Sequence, residues 1–104
     1  MAKQLTNENF DQTISTSKAV MVDFFTQWCG PCKSMSPMVE KLAAEYEGKI
    51  VVGKVDADES GEIAQRFMIR GVPTFLFFKD GQQVDKHVGI MSESEMRSKL
   101  NALL

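Results

Sequence analysis

The only two cysteines of the chain, Cys29 and Cys32, stand two residues apart in the stretch Trp28-Cys29-Gly30-Pro31-Cys32-Lys33. A pair at this spacing can supply half of a tetrahedral metal site, form a structural disulfide, or carry out thiol–disulfide exchange. A disulfide that closes so small a loop removes little entropy from the unfolded chain, so it adds little stability. A purely structural role for such a disulfide is therefore weakly supported.

A metal site lacks ligands within this chain. There is no third cysteine and only one histidine, His87, which falls in a predicted late strand where a solvent-facing side chain is expected. Structural zinc takes about four protein ligands. A metal site would therefore have to be shared between two subunits, and this alternative predicts stoichiometric metal in a purified dimer. We expect no metal.

Thiol–disulfide exchange fits the flanking residues better. The pair stands where a buried strand gives way to a helix, and a helix N-terminus stabilises a thiolate such as that of Cys29. Pro31 suits the first helical turn because its missing N–H would have had no partner there, and Gly30 leaves a bare backbone that another chain can approach. Cys32 lies about one turn further on, within reach of the Cys29 sulfur. We therefore expect Cys29 to attack a disulfide and Cys32 to resolve the mixed disulfide.

A proton acceptor for Cys32 is predicted at Asp23. This carboxylate stands within the apolar run AVMVDFF, and burial of a carboxyl raises its pKa toward that of a thiol. Lys54, in a neighbouring predicted strand, is expected to pair with Asp23 and to moderate that shift; the alternative is an ordinary exposed lysine.

The elements that must position these residues alternate along the chain. Ala19–Phe25 is apolar on both faces, as in a central strand, and apolar residues from Met35 to Tyr46 recur at helical spacing up to Gly48. Pro37 within this helix predicts a kink. The other predicted elements are a short N-terminal strand, a helix around Phe10 and Ile14, a strand over Ile50–Val55, a helix around Ile63–Phe67, strands over Thr74–Phe78 and Gln83–Val88 joined through Asp80-Gly81, and a last helix with apolar residues at Met96, Leu100 and Leu103 after the capping box Ser92–Glu95. The resulting order predicts an α/β fold with a mixed sheet of five strands flanked by four helices, as one domain over residues 1–104.

Composition excludes several classes of function. Twelve basic and 14 acidic residues are spread over 104 positions, so no basic stripe favours nucleic acid. Apolar runs such as 75–78 are far shorter than the roughly 20 residues that span a bilayer. The polar N-terminus lacks the apolar segment of a secretory signal, which favours a cytoplasmic protein without a membrane partner; the alternative is an exported protein whose leader has been removed.

Taken together, the motifs resemble the thioredoxin family over essentially the whole length. A bare pair of cysteines at this spacing is a weak signal, but its combination with the other positions is specific. The matching positions are Asp23, Trp28–Lys33, Pro37, Lys54, Asp56, Gly71–Thr74, Gly81 and Gly89. The chain departs from the family pattern at Phe25, where tryptophan is common, at Thr26, and at Ser34–Ser36.

The resemblance implies a protein disulfide reductase with the thioredoxin fold, whose redox-active group is the Cys29–Cys32 disulfide and which holds no tightly bound cofactor. Gly30 and Pro31 would tune the thiolate, and Val72–Pro73 would be a cis peptide bond. Partners would be disulfide-containing proteins, and a separate electron donor of the thioredoxin-reductase type would recycle the protein, which is expected to be a monomer. The implied docking surface consists of Trp28, Gly30, Pro31, Val72, Pro73, Gly89 and Ile90.

Two other functions use the same fold. A thiol oxidant or disulfide isomerase would have a disulfide that glutathione reduces readily; the absence of histidine between the cysteines favours a reductant instead. A non-catalytic docking subunit would keep its binding after both cysteines are replaced by serine, whereas turnover would be lost.

Overall fold

The computed structural model describes all residues 1–104 and has a single sheet between two layers of helices. The elements are β1 (Lys3–Leu5), α1 (Phe10–Thr16), β2 (Ala19–Phe25), α2 (Gly30–Glu45), β3 (Val51–Asp56), α3 (Gly61–Arg66), β4 (Thr74–Lys79), β5 (Gln82–Val88) and α4 (Glu93–Asn101). The predicted α/β class and element order are confirmed. None of the helices has the length and apolar character that a membrane span requires.

The sheet has the strand order β1-β3-β2-β4-β5, with β2 in the centre. Strand β2 pairs parallel with β3 and antiparallel with β4. Six of its seven residues are buried, because helices cover both faces of the sheet at this position. This is why the sequence of β2 reads as apolar on both sides.

Two separate cores hold the helices to the sheet. On one face, α2 and α4 pack on a cluster that includes Met35, Leu42, Phe77 and Leu100. On the other face, the helices α1 and α3 pack around Phe10 and the inward residues of the sheet. Helix α2, which begins at the cysteine pair, is therefore fixed along its buried side.

The β4–β5 hairpin confirms the turn predicted from Asp-Gly. Asp80 and Gly81 both have positive φ, 50° and 82°, as in the two-residue turns that match the twist of paired strands. An irregularity between Phe77 and Phe78 shifts the register of β5, and no sequence signal indicated it.

The ends of several elements differ slightly from the prediction. Strand β3 begins at Val51 rather than Ile50, because the Ile50 N–H bonds the Tyr46 carbonyl at 2.9 Å in the turn after α2. Helix α4 ends at Asn101, so the buried Leu103 packs from beyond the helix. The Ser92 hydroxyl accepts from the Glu95 N–H at 3.1 Å, which is half of the expected capping box. The Glu95 carboxylate lies 3.8 Å from His87 Nδ1 instead.

Met68 has a positive φ of 53° and lies two residues after the last residue of α3. Left-handed backbone costs an L-residue about 1–2 kcal/mol, whereas glycine adopts it freely. The side chain is 67% exposed, so its removal loses little burial. We expect Met68→Gly to raise the free energy of unfolding by about 0.5–1 kcal/mol, after the larger entropy of glycine in the unfolded chain is subtracted.

Urea denaturation measures this change, and Gln65→Gly is the matched control. Gln65 lies inside α3 and is exposed, so glycine there should lower stability by about 0.5–1 kcal/mol. A loss of stability in both variants would show that Met68 is not strained.

Candidate redox site

The connection from β2 to α2 places Cys29 at the N-cap of a helix of 16 residues. Cys29 has extended backbone, with φ −90° and ψ 107°, and its Sγ accepts a hydrogen bond from the Cys32 N–H at 3.1 Å. Pro31 occupies the first turn, where no backbone N–H is needed. The cysteines are joined by a disulfide, with their Cα atoms 5.2 Å apart.

The electrostatic environment of Cys29 favours a sulfur anion. The free N–H groups of a helix N-terminus carry partial positive charge, and no acidic residue stands in the first turn of α2. Cys29 and Cys32 are 9% and 7% exposed, so exposure alone does not distinguish them. The distinction comes from position, since the Cys29 sulfur caps the helix and Cys32 lies inside it.

Asp23 is buried in the middle of β2, with 3% of its surface exposed. Its Oδ1 atom has no hydrogen-bond partner. Desolvation raises the pKa of Asp23 to about 7, while the Lys54 cation opposes the shift and the Glu40 anion adds to it. The expected burial and raised pKa are confirmed, and at neutral pH this carboxyl can take up or release a proton.

Lys54 stands beside Asp23 in the parallel register of β2 and β3, but the expected direct ion pair is wrong. The Lys54 ammonium donates to Ser36 Oγ at 3.2 Å and lies 3.9 Å from a Glu40 carboxylate oxygen. It also lies 4.9 Å from the centre of the Phe25 ring, at which a cation is attracted to an aromatic face. The side chain is only 18% exposed, so the alternative of an ordinary exposed lysine is wrong as well.

A cavity of about 110 Å³ connects Cys32 with Lys54. Such a volume holds several water molecules. It lies on the α2 side of the sheet, the side that Lys54 faces. Its lining residues are Phe25, Thr26, Gln27, Cys32, Lys33, Ser36 and Lys54. Cys32 therefore borders a cavity whose lining residues are mostly polar.

The strand registers bring the other predicted site residues to the same end of the sheet as the cysteines. Phe24 pairs with Thr74, and Thr74 pairs with Val88. Residues 72–73 therefore lie beside the end of β2, next to the segment that leads to Cys29, and residues 89–90 follow β5 one strand further out. The Gly89 N–H bonds the Pro73 carbonyl at 2.8 Å and joins the two segments.

This end of the sheet presents an exposed apolar surface. Trp28 is 88% exposed and Ile90 66%, so Trp28 is not a core residue. The Val72–Pro73 bond is cis, as the resemblance implied. A side chain at Gly30 would meet nothing within 4 Å, so the backbone there is open.

Three further residues contact the site, and the sequence pattern assigned no role to any of them. Ser36 and Glu40 follow Cys32 at intervals of four residues, which puts all three on one face of α2; this spacing was the available signal. Asp56, buried at the end of β3, accepts from Gln27 Nε2 at 3.1 Å and from the Asp58 N–H at 3.0 Å. It fixes the loop after β3 against the segment that precedes Cys29.

The His87 side chain contacts the segment that follows β5. Its Nε2 atom lies 3.0 Å from the Ile90 carbonyl, and its side chain is 23% exposed rather than fully solvent-facing. No cluster of three or more histidine, cysteine or acidic side chains is arranged to hold a metal ion.

Comparisons with known proteins agree with this geometry. The family model described as Thioredoxin matches residues 1–102. The chain is 42% identical over 100 residues to Thioredoxin 1 of Nostoc sp., covering 95% of this chain and 94% of that protein. It is 41% identical over 99 residues to the thioredoxin of Mycoplasmoides gallisepticum, with coverages of 94% and 98%.

Solved structures superpose closely. The thioredoxin of Plasmodium falciparum has a TM-score of 0.89 and 37% identity, covering 97% of this chain and 98% of that one. The oxidised mitochondrial thioredoxin 3 of Saccharomyces cerevisiae has a TM-score of 0.88 and 32% identity, with coverages of 97% and 94%.

Proposed function

The chain belongs to the thioredoxin family and is a thiol–disulfide oxidoreductase, and on that premise we propose that Cys29 attacks disulfides of partner proteins and Cys32 completes their reduction. The observation that carries this assignment is the hydrogen bond from the Cys32 N–H to the Cys29 sulfur at the start of α2. The Cys29–Cys32 disulfide is itself the redox group.

The first step is attack by the Cys29 thiolate on one sulfur of the partner disulfide. The Cys29–partner bond forms, the partner S–S bond breaks, and the leaving sulfur takes up a proton. A thiolate at this position is stabilised by the Cys32 N–H and by the partial positive charge of the helix terminus. Cys32 lacks such a position, so Cys29 is the thiol that starts the exchange.

The second step is attack by Cys32 on the Cys29 sulfur. The Cys32 thiol gives up its proton, the Cys29–partner bond breaks, and the second partner sulfur leaves as a thiolate that is then protonated. Two electrons and two protons thus pass to the partner. Asp23, whose pKa is raised by burial to about 7, is the proposed acceptor of the Cys32 proton. The polar cavity beside Cys32 extends to Lys54, the neighbour of Asp23 in the adjacent strand.

Partner segments are proposed to dock as an added strand beside Val72. Neither the N–H nor the carbonyl of Val72 takes part in the backbone hydrogen bonds of the loops, so both are free to pair with an extended peptide. The exposed side chains of Trp28 and Ile90 would contact residues of the partner on either side of its cystine. Pro73 and Gly89 are joined by a backbone hydrogen bond and would form the base of this docking surface.

The cellular setting is part of the proposal. Thioredoxins act on disulfide-containing proteins and are reduced by thioredoxin reductase. We accordingly propose that the protein works as a monomer in the cytoplasm, with electrons supplied by a reductase of that type. Exchange through a single exposed surface requires no second subunit.

The test is turnover of a model protein disulfide in the presence of dithiothreitol. Wild-type protein at micromolar concentration should accelerate the reduction well above the rate with dithiothreitol alone, because each molecule cycles many times. The variant in which Cys29 and Cys32 are both serine should show no acceleration. Wild-type activity no greater than that of the double variant would contradict the proposed function.

A further inference from the structure

The Lys54 ammonium is the cation nearest to the buried Asp23 along the sheet, yet α2 holds it. Its hydrogen bond goes to Ser36 and its ion pair to Glu40, while Asp23 Oδ1 stays without a partner. A lysine side chain without competing contacts would be expected to form a short-range ion pair with an unpaired buried carboxylate. Contacts from α2 therefore compete with Asp23 for the Lys54 ammonium.

Glu40 is itself fixed from a second side. One of its carboxylate oxygens accepts the Ala2 N–H at 2.8 Å, directly before β1. Strand β1 pairs with β3, which carries Lys54. The anion that attracts Lys54 is thus attached both to α2 and to the edge of the sheet, and this second contact opposes its movement toward Asp23.

We propose that Ser36 and Glu40 are positioning residues that hold the Lys54 ammonium against α2 and away from Asp23, so that the Asp23 carboxylate stays basic enough to accept the proton of Cys32. The inference rests on the proposed function for the role of that proton, but the positioning itself is a property of the folded, oxidised protein.

The charged groups around Asp23 determine in which direction its protonation changes when Lys54 is released. Lys54 comes from β3 and Glu40 from α2, and the register partner on β4 is the uncharged Phe75. The cysteines at the start of α2 carry no charge while they form the disulfide. Releasing Lys54 brings positive charge toward Asp23 and favours its ionised form, and removing the Glu40 charge acts in the same direction.

The experiment is an NMR titration of the Asp23 carboxyl carbon in the oxidised protein. We expect Glu40→Gln to lower the pKa of Asp23 by about one unit, and Ser36→Ala to lower it by a smaller but measurable amount. Ser34→Ala is the matched control, since this exposed serine lies two residues away on the same helix and should leave the titration unchanged.

A Lys54→Met background separates positioning from a general structural effect. With the ammonium gone, Ser36→Ala should no longer shift the titration of Asp23. An unchanged titration in Ser36→Ala, or an equal shift with and without Lys54, would overturn the inference.

The same variants distinguish this inference from the proposed function. If the titration shifts as expected and the pH profile of mixed-disulfide resolution shifts with it, both are supported. If only the titration shifts, positioning is supported, and the proton-accepting role of Asp23 in the proposed function is overturned.

Discussion

The Cys32→Ser variant should accumulate partner proteins as stable mixed disulfides on Cys29, whereas Cys29→Ser should accumulate few. Removal of Cys32 leaves the first attack intact, because the helix N-cap and the docking surface are unchanged. It removes the resolving thiol, whose effective concentration in a well-oriented intramolecular reaction is on the order of 10⁵ M or more. The lifetime of the mixed disulfide should rise by at least on the order of a thousandfold when millimolar external thiol is the only competitor.

The measurement is the recovery of covalent complexes after reaction with a protein disulfide and quenching with an alkylating agent. Complexes should appear on non-reducing gels with Cys32→Ser and disappear on reduction. Cys29→Ser is the matched control, because it also retains one thiol of the pair. Equal trapping by the two variants would show that the proposed roles of Cys29 and Cys32 are wrong.

Local sequence was sufficient to predict the elements that place the cysteines. Ala19–Phe25 has the same bounds in the sequence prediction and in the structure, because a strand covered on both faces needs apolar residues at nearly every position. Pro31 marked the start of α2 for an equally local reason. The raised pKa of Asp23 also followed from local sequence, since an acidic residue inside such a run has to be buried.

The direction in which a long side chain points could not be predicted from local sequence. Lys54 was correctly placed beside Asp23, but its ammonium stands at the end of a long flexible chain and bends toward whichever partner is best placed. That partner comes from α2, and its position depends on how the helix packs across the sheet. The backbone of Met68 was missed for a similar reason, since its left-handed conformation is imposed by the turn that follows α3 and leaves no pattern in the side chains.

Replacing Asp23 by asparagine should stabilise the oxidised protein at neutral and alkaline pH. Burial raises the pKa of Asp23 to about 7 in the folded protein, from an ordinary value of 3.8. Between these two values the folded state binds more protons than the unfolded state, so wild-type stability falls as the pH rises from about 4 to about 7. About three pH units correspond to about 4 kcal/mol, and the loss is complete above the folded pKa.

The asparagine side chain carries no charge and avoids this loss, although its amide, like the carboxyl of Asp23, remains buried and incompletely hydrogen-bonded. We therefore expect Asp23→Asn to raise the free energy of unfolding by about 2–4 kcal/mol at pH 8 and to change it little at pH 4. Urea denaturation of the oxidised protein across this pH range measures the difference. Asp58→Asn is the control, since Asp58 is exposed and its loss should leave the stability gap between pH 4 and pH 8 as in the wild type.

The same substitution should slow the release of partners more than the first attack, because an asparagine amide cannot accept the Cys32 proton. Stability and turnover would then change in opposite directions, as expected when a charge is kept in the core for its chemistry. A stability gain that is equal at pH 4 and pH 8 would show that the charge of Asp23 is not its source. If the gain is confined to high pH but the release of the partner is unchanged, Asp23 is not the proton acceptor, although its buried charge still destabilises the folded protein.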